Sequence, residues 1–148
     1  MVSKQALYQA KLLEKQVQLY HDLNELAKRK EKVLSLADVE ALDDIITAEQ
    51  ALILRAAEIE KRRFASQREL AITWDLPVAK VTLDAIVEQA DEEIATRCRQ
   101  AGKELAAILS ELKDRNDRCH KIIKGALDLV QHTLEKAGAE PALVDRLV

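Results

Sequence analysis

Residues 87–133 read VEQADEEIATRCRQAGKELAAILSELKDRNDRCHKIIKGALDLVQHT, and the spacing of their apolar side chains decides the fold. Positions 87, 91, 94, 98, 101, 105, 108, 112, 115, 119, 122, 126, 129 and 133 alternate steps of four and three. They hold Val, Asp, Ile, Cys, Ala, Leu, Ile, Leu, Arg, Cys, Ile, Ala, Leu and Thr, so eleven of the fourteen are apolar. An alternation sustained over so many heptads keeps one narrow stripe turned toward a neighbouring helix, the signature of a left-handed coiled-coil seam. The helix is expected to run from about 83 to about 137, with Thr82 as its N-cap and Asp84 in its first turn. Gly138 and Pro141 are expected just past its end.

The same period runs through the rest of the chain. A first helix over about 3–34, capped by Ser3, carries Ala6, Ala10, Leu13, Val17 and Tyr20. A neighbouring stripe carries Leu12, Leu19, Leu23, Leu26 and Val33. Two adjacent stripes make a wide apolar face, as on a helix with two partners. Ser35-Leu36-Ala37-Asp38 reads as a variant capping box opening a second helix over about 36–74. That helix carries Val39, Leu42, Ile45, Ile46, Leu52, Ile53, Ala56 and Ile59. Helices one and two either fold as a hairpin or continue end to end with a kink; a hairpin gives each face cover. Asp75-Leu76-Pro77 stops the second helix, and Trp74 beside it reads as a packing residue.

Composition agrees with an all-α fold of three long helices in an elongated antiparallel coiled-coil-like bundle, a single helical domain over 1–148 with a short tail at 138–148. Only 3% of the 148 residues are aromatic and 33% are charged. So few rings cannot fill a globular core, and aliphatic side chains must pack in narrow seams. The net charge of −3 with both signs interspersed argues against a general affinity for nucleic acid or anionic membrane. The basic stretches Lys28-Arg29-Lys30 and Lys61-Arg62-Arg63 are flanked by Glu25, Glu31, Glu58 and Glu60, as solvated faces are. No apolar run exceeds the five residues Leu105 to Leu109, whereas a membrane span needs about 20. The N-terminus has no apolar signal-peptide core. A cytoplasmic protein is expected.

Cys98 and Cys119 lie 21 residues apart on the seam. On one helix that is roughly 30 Å at about 1.5 Å per residue, too far for a disulfide. Both read as small reduced core residues.

No catalytic, cofactor or metal site is expected. His21, His120 and His132 have no i, i+4 or CxxC partners for a metal, no glycine-rich loop cradles phosphate, and no Ser or Cys has a base at readable spacing. His120-Lys121-Ile122-Ile123-Lys124-Gly125 approaches a histidine-phosphotransfer signature. That chemistry needs Lys at +3 and Gly at +4, to clear space one turn from the histidine. Here they fall at +4 and +5, about 100° off its face. Gly125 lies mid-helix, where it costs about 1 kcal/mol against alanine; close helix approach and a loosened helix end are the two explanations.

One feature breaks the uniformity of the third helix. From Ile123 a second stripe appears beside the seam: Ile123, Leu127, Val130, Leu134. Extended backwards it meets His120, Asn116 and Lys113. Such a doubled stripe is either covered by another helix of the bundle or open to a partner.

Three stretches resemble the FlgN-like family of bacterial flagellar export chaperones. Asp38-Val39-Glu40-Ala41-Leu42 is similar to the acidic start of that family's second helix. Glu49, Leu52, Leu54 and Ile59-Glu60-Lys61-Arg62-Arg63 resemble its Glu-Leu-rich run. Asn116-Asp117-Arg118-Cys119, with Ile122-Ile123 and Ala126-Leu127-Asp128-Leu129-Val130, resembles its Asn-x-x-Asn-x-x-Leu-Leu segment, with Cys119 in place of the second Asn. The likeness spans about 5–137. It implies a cytoplasmic type III export chaperone that keeps the C-terminal segments of hook-associated proteins soluble and delivers them to the export apparatus. It also implies substrate capture by the end of the third helix, which makes Ile123, Leu127, Val130 and Leu134 the expected client-binding residues. A structural coiled-coil subunit without a client is the rival, and monomer and homodimer both stay open.

Overall fold

The computed structural model describes residues 2–137, and all regular structure within them is helical. The elements are α1 (Val2–Leu36), α2 (Val39–Trp74), a 3₁₀ turn (Val78–Lys80), α3 (Leu83–Gln89) and α4 (Glu92–Lys136). Gly138, Pro141 and the expected tail lie outside the described residues. Ser3 falls inside α1, which begins one residue earlier, so it is not the N-cap.

α1 and α2 form a hairpin rather than a rod. The turn is a Schellman motif: the Ala37 N–H donates to Leu34 O and the Asp38 N–H to Val33 O, both at 3.2 Å. Ala37 takes the left-handed conformation (φ 53°), so two orphan carbonyls of α1 are satisfied at the expense of a strained alanine. The expected capping box at Ser35 is not used. α1 runs one residue past Ser35, whose hydroxyl donates back to Glu31 O at 3.0 Å. The N-cap of α2 is Asp38, whose carboxylate accepts from the Ala41 N–H at 3.1 Å. A second Schellman turn closes α2, with Asp75 at φ 53° and the Leu76 N–H donating to Ala71 O. Pro77 then prevents any continuation.

Among the described residues four α-helices stand where three were expected, because the long third pattern is broken at Ala90-Asp91. Ala90 is extended (ψ 157°). Asp91 caps α4 by accepting from the Ile94 N–H at 3.1 Å, with Glu92 and Glu93 in the first turn favoured by the helix dipole. Asp91 had been counted as one of the polar exceptions on the seam. It is the point at which the seam changes helix. Thr82 caps α3 as expected, accepting from the Ala85 N–H at 3.2 Å.

α1 is the hub. Its partners across α2 run in opposite senses: Gln5 meets Ser66 and Glu69, Gln9 meets the Arg63 carbonyl, Gln16 meets Glu60 and Arg63, and Lys30 meets Glu49. Its partners on α4 run in the same sense: Ala6 meets Cys98, Leu13 and Val17 meet Ala101, and Glu31 meets Arg115 and Arg118. The order is up, down, up, with α2 and α4 each packed chiefly on α1. The main core lies at the end where the chain crosses from α2 to α4. There Ala6, Ala10, Leu70, Val81, Ile86, Ile94 and Cys98 are buried, with Trp74 packed against them.

The α1–α2 seam is unexpectedly polar. Gln9 and Gln16 are buried beside Leu12 and Leu19, and their amides bridge to α2. Polar groups inside a heptad seam fix register, since a slip would strand them unpaired.

Two expectations follow for solution. Cys98 and Cys119 are free and buried, and burial pushes both thiols above their ordinary pKa. The reactive thiolate is therefore scarcer in the folded chain than in the unfolded one. Alkylation at pH 8 should be at least about tenfold slower natively than in denaturant, with the gap closing only at higher pH; equal rates would contradict the burial. Gly125 has open space where a Cβ would stand, which removes close helix approach as its reason. Gly125→Ala should stabilise the end of α4 by up to about 1 kcal/mol, read as slower amide exchange over residues 120–136. A loss of protection there would show that the glycine has a contact role after all.

Candidate interaction groove

α4 is 45 residues long and outlasts its support. Glu31, five residues before the end of α1, already sits beside Arg115 and Arg118. The first seam is therefore covered only as far as Cys119 and Ile122. Beyond it Ala126, Leu129 and Thr133 are exposed, Leu129 at 66%. The sequence implied a neighbour under this stripe over the whole helix. α1 turns at Leu36 and leaves the last turns of α4 without one.

The second stripe, with Ile122 and Ala126 of the first, meets the hairpin corner. Ile123, Leu127 and Val130 form one wall of an apolar groove of about 240 Å³. The opposite wall is the hairpin corner: Val33 and Leu34 from α1, Val39 and Leu42 from α2, with Ala37 and Asp38 at the turn between. Leu134 lies about one turn further along α4, half-buried and outside the groove. Three of the four residues singled out from spacing are thus brought together. The corner residues were not foreseen as a site. Their signal was the run Leu36, Val39 and Leu42 around a surface turn, where polar residues are usual. Leu36 and Val39 are exposed at 70% and 76%.

Charge frames the groove. Glu31 accepts from Arg115 Nη1 at 3.2 Å and from Arg118 Nε, and this pairing raises the Arg118 pKa further. One residue earlier, Lys30 donates to Glu49 at 2.9 Å, with both side chains largely buried. These two ion pairs clamp α1 to α4 and to α2 just below the groove. A larger hollow of about 580 Å³ lies by Lys28, Glu31, Lys32, Ser35, Arg118, Lys121 and Ile122. Five of its seven lining residues are charged, and Glu31 and Arg118 among them are already paired with each other. The smaller groove is the better binding candidate, because it is aliphatic surface that water disfavours.

His21, His120 and His132 are all exposed. Among the described residues no group of three or more His, Cys, Asp or Glu side chains stands close enough to hold a metal ion. No helix among them is long and apolar enough to cross a membrane.

An apolar groove at the open end of a three-helix scaffold, with a helix projecting past it, is suited to receiving a segment of another protein. No curated protein and no solved structure matches the chain. The family model described as FlgN protein matches residues 1–140. Nearly the whole chain is covered, from α1 through the projecting end of α4. The chain belongs to the FlgN family of flagellar export chaperones.

Proposed function

We propose that this chain acts in the bacterial cytoplasm as a chaperone of type III flagellar export, holding the C-terminal segments of hook-associated proteins soluble and unassembled until they reach the export apparatus. The observation that carries this reading is the uncovered end of α4. Its aliphatic side chains Ile123, Leu127 and Val130 face a groove whose other wall the α1–α2 corner supplies, and Leu134 continues the stripe beyond it. An otherwise disordered amphipathic segment gains a place for its apolar face by lying there as a helix, the helix-in-groove mode of recognition.

The energies suit a reversible hold. Burying three or four aliphatic side chains yields about 1.5–3 kcal/mol each, against which stands the cost of ordering the segment. Release then needs no ATP-driven step within the chaperone. A client so held cannot use the same apolar face to assemble.

The test is Leu127→Asp with Val130→Asp, measured by calorimetry against a peptide of the last 40 or so residues of a hook-associated protein of the same bacterium. Binding should fall by about a hundredfold or more, since two buried unpaired carboxylates cost several kcal/mol. The thermal melt should move by only a few degrees, because the groove leaves one side of both positions open to solvent. Wild-type affinity in the folded double variant would remove the stripe as the client site.

A further inference from the structure

Residues one position apart on a helix point about 100° apart. α1 presents Gln9, Gln16 and Lys30 to α2, and Leu13, Val17 and Glu31 to α4, two seams offset by a single position. Its two partners therefore stand at nearly a right angle around it, as on two sides of a square. Helices so placed leave each other largely uncovered, and α2 and α4 share few contacts. Three corners of a four-helix bundle are occupied.

The chain itself marks where the fourth corner lies. At one end the crossover from α2 to α4 fills it. Gln67 of α2 donates to the Val81 carbonyl at 3.3 Å, and a Cβ on Gly102 of α4 would come within 2.9 Å of Leu83 Cδ2. Gln67 and Gly102 each sit one residue after a buried seam position, Ser66 and Ala101. The stripes one residue past the seams of α2 and α4 thus face this same corner.

Past Leu83 the corner is empty, yet those stripes continue. On α2 the stripe carries Ile46, Ile53, Ala57 and Phe64, at spacings of seven, four and seven, all exposed. Ile53 is 54% accessible. On α4 it carries Leu109, 40% accessible, then the polar Lys113, Asn116 and His120, and then the groove residues Ile123 and Leu127. The open length runs alongside α1 from about Val17 to Leu36, some 30 Å at 1.5 Å per residue.

Resting on the chaperone reading above, we propose that this vacant corner is the seat of one amphipathic client helix of about 20 residues, which completes a four-helix bundle and touches the outer stripe of α2 as extensively as that of α4. The α2 rim is acidic. From Val39 to Leu54 α2 has Glu40, Asp43 and Asp44 and no basic residue, while its fourth acid, Glu49, is already paired with Lys30. On α4 both signs are mixed beside the stripe, Asp114, Asp117 and Asp128 standing with Lys121 and Lys124. The fitting helix carries basic residues on its α2 side, as charged e and g positions do in coiled coils. A second copy of this chain is a poorer occupant. The corner needs a helix with two adjacent free apolar stripes, whereas α1 spends both of its stripes internally and α2 and α4 each spend one.

The experiment uses the full chain and the same C-terminal client peptide, with Ile46→Asp/Ile53→Asp set beside Leu127→Asp/Val130→Asp. Each pair should weaken the peptide at least about tenfold while the chaperone keeps its helical circular dichroism. A photo-crosslinking residue at position 53, and separately at 123, should capture the peptide from both walls, and this readout decides the matter if the α2 pair unfolds. Wild-type affinity in the α2 pair, with crosslinks from 123 alone, would overturn the four-helix seat and leave the α4 groove intact as the site. If neither pair alters binding, the chaperone site itself is misplaced. Conversion of a dimer to a monomer by the α2 pair, at unchanged peptide affinity, would assign the corner to a second copy and overturn the proposal.

Discussion

Everything in this structure depends on α1 serving two partners through seams offset by one residue. The constraint is sharpest at Lys30 and Glu31, neighbours in sequence that bind opposite helices, one pairing with Glu49 of α2 and the other with Arg115 and Arg118 of α4. An α-helix turns consecutive side chains about 100° apart, so a helix that pairs through adjacent positions sets its partners square rather than triangular. A triangular bundle would close on itself. A square of three leaves a corner open, and a family of chaperones needs an open surface.

The two sides of α1 are built differently. Toward α4 the contact is made of small and aliphatic residues: Ala6 against the Cys98 thiol, Leu13 and Val17 against Ala101. Small side chains allow close approach and little else, so register comes from the ion pairs at the ends, Glu14 with Arg97 and Glu31 with Arg115 and Arg118. Toward α2, register is written into the seam itself by Gln5, Gln9 and Gln16. Hydrogen bonds of this kind add about 1 kcal/mol each when made and cost more when a partner is lost. The hairpin is therefore specified more than it is strengthened. The apolar mass that strengthens the molecule sits at the far end, around Leu70, Val81 and Ile86.

Much of this was legible in the sequence, for reasons that separate periodic from local signals. The doubled stripe of α1, the seam through Cys98, Ile108 and Cys119 and the stop at Asp75-Leu76-Pro77 are repeated or steric signals, and they survive in the structure. What was missed is local or non-periodic. Asp91 fitted the seam by spacing, but a short acidic side chain followed by two glutamates is also a strong helix start, and capping won. Ser35 resembled a capping residue, yet its hydroxyl bonds within α1 and the αL turn at Ala37 passes the task to Asp38. Gln9 and Gln16 are buried because their partners come from a helix more than 40 residues away, which no window of sequence reveals. The groove stripe at Ile123, Leu127 and Val130 was visible from spacing. Its opposite wall was not, because Val33 and Val39 converge only once the hairpin closes.

The projecting end of α4 has a further physical consequence. Past Ile122 only the α1–α2 corner faces it, across the groove, and an isolated helical segment of fewer than about 12–15 residues is marginal in water. Its helicity is therefore borrowed from the supported part of α4, and Gly125 lies at the boundary, where propagation is weakest. Rigidity in this segment would presume one client shape. A segment that holds its helix only loosely adjusts to the ridges of whatever lies against it, at the cost of some affinity for ordering. The walls nearer Glu31 and Glu49 are clamped by ion pairs and supply the pre-formed part of the seat. On the seat proposed above, a client helix docks first where the scaffold is rigid and draws the end of α4 down onto itself. On that proposal affinity is set by the loose end and register by the fixed one.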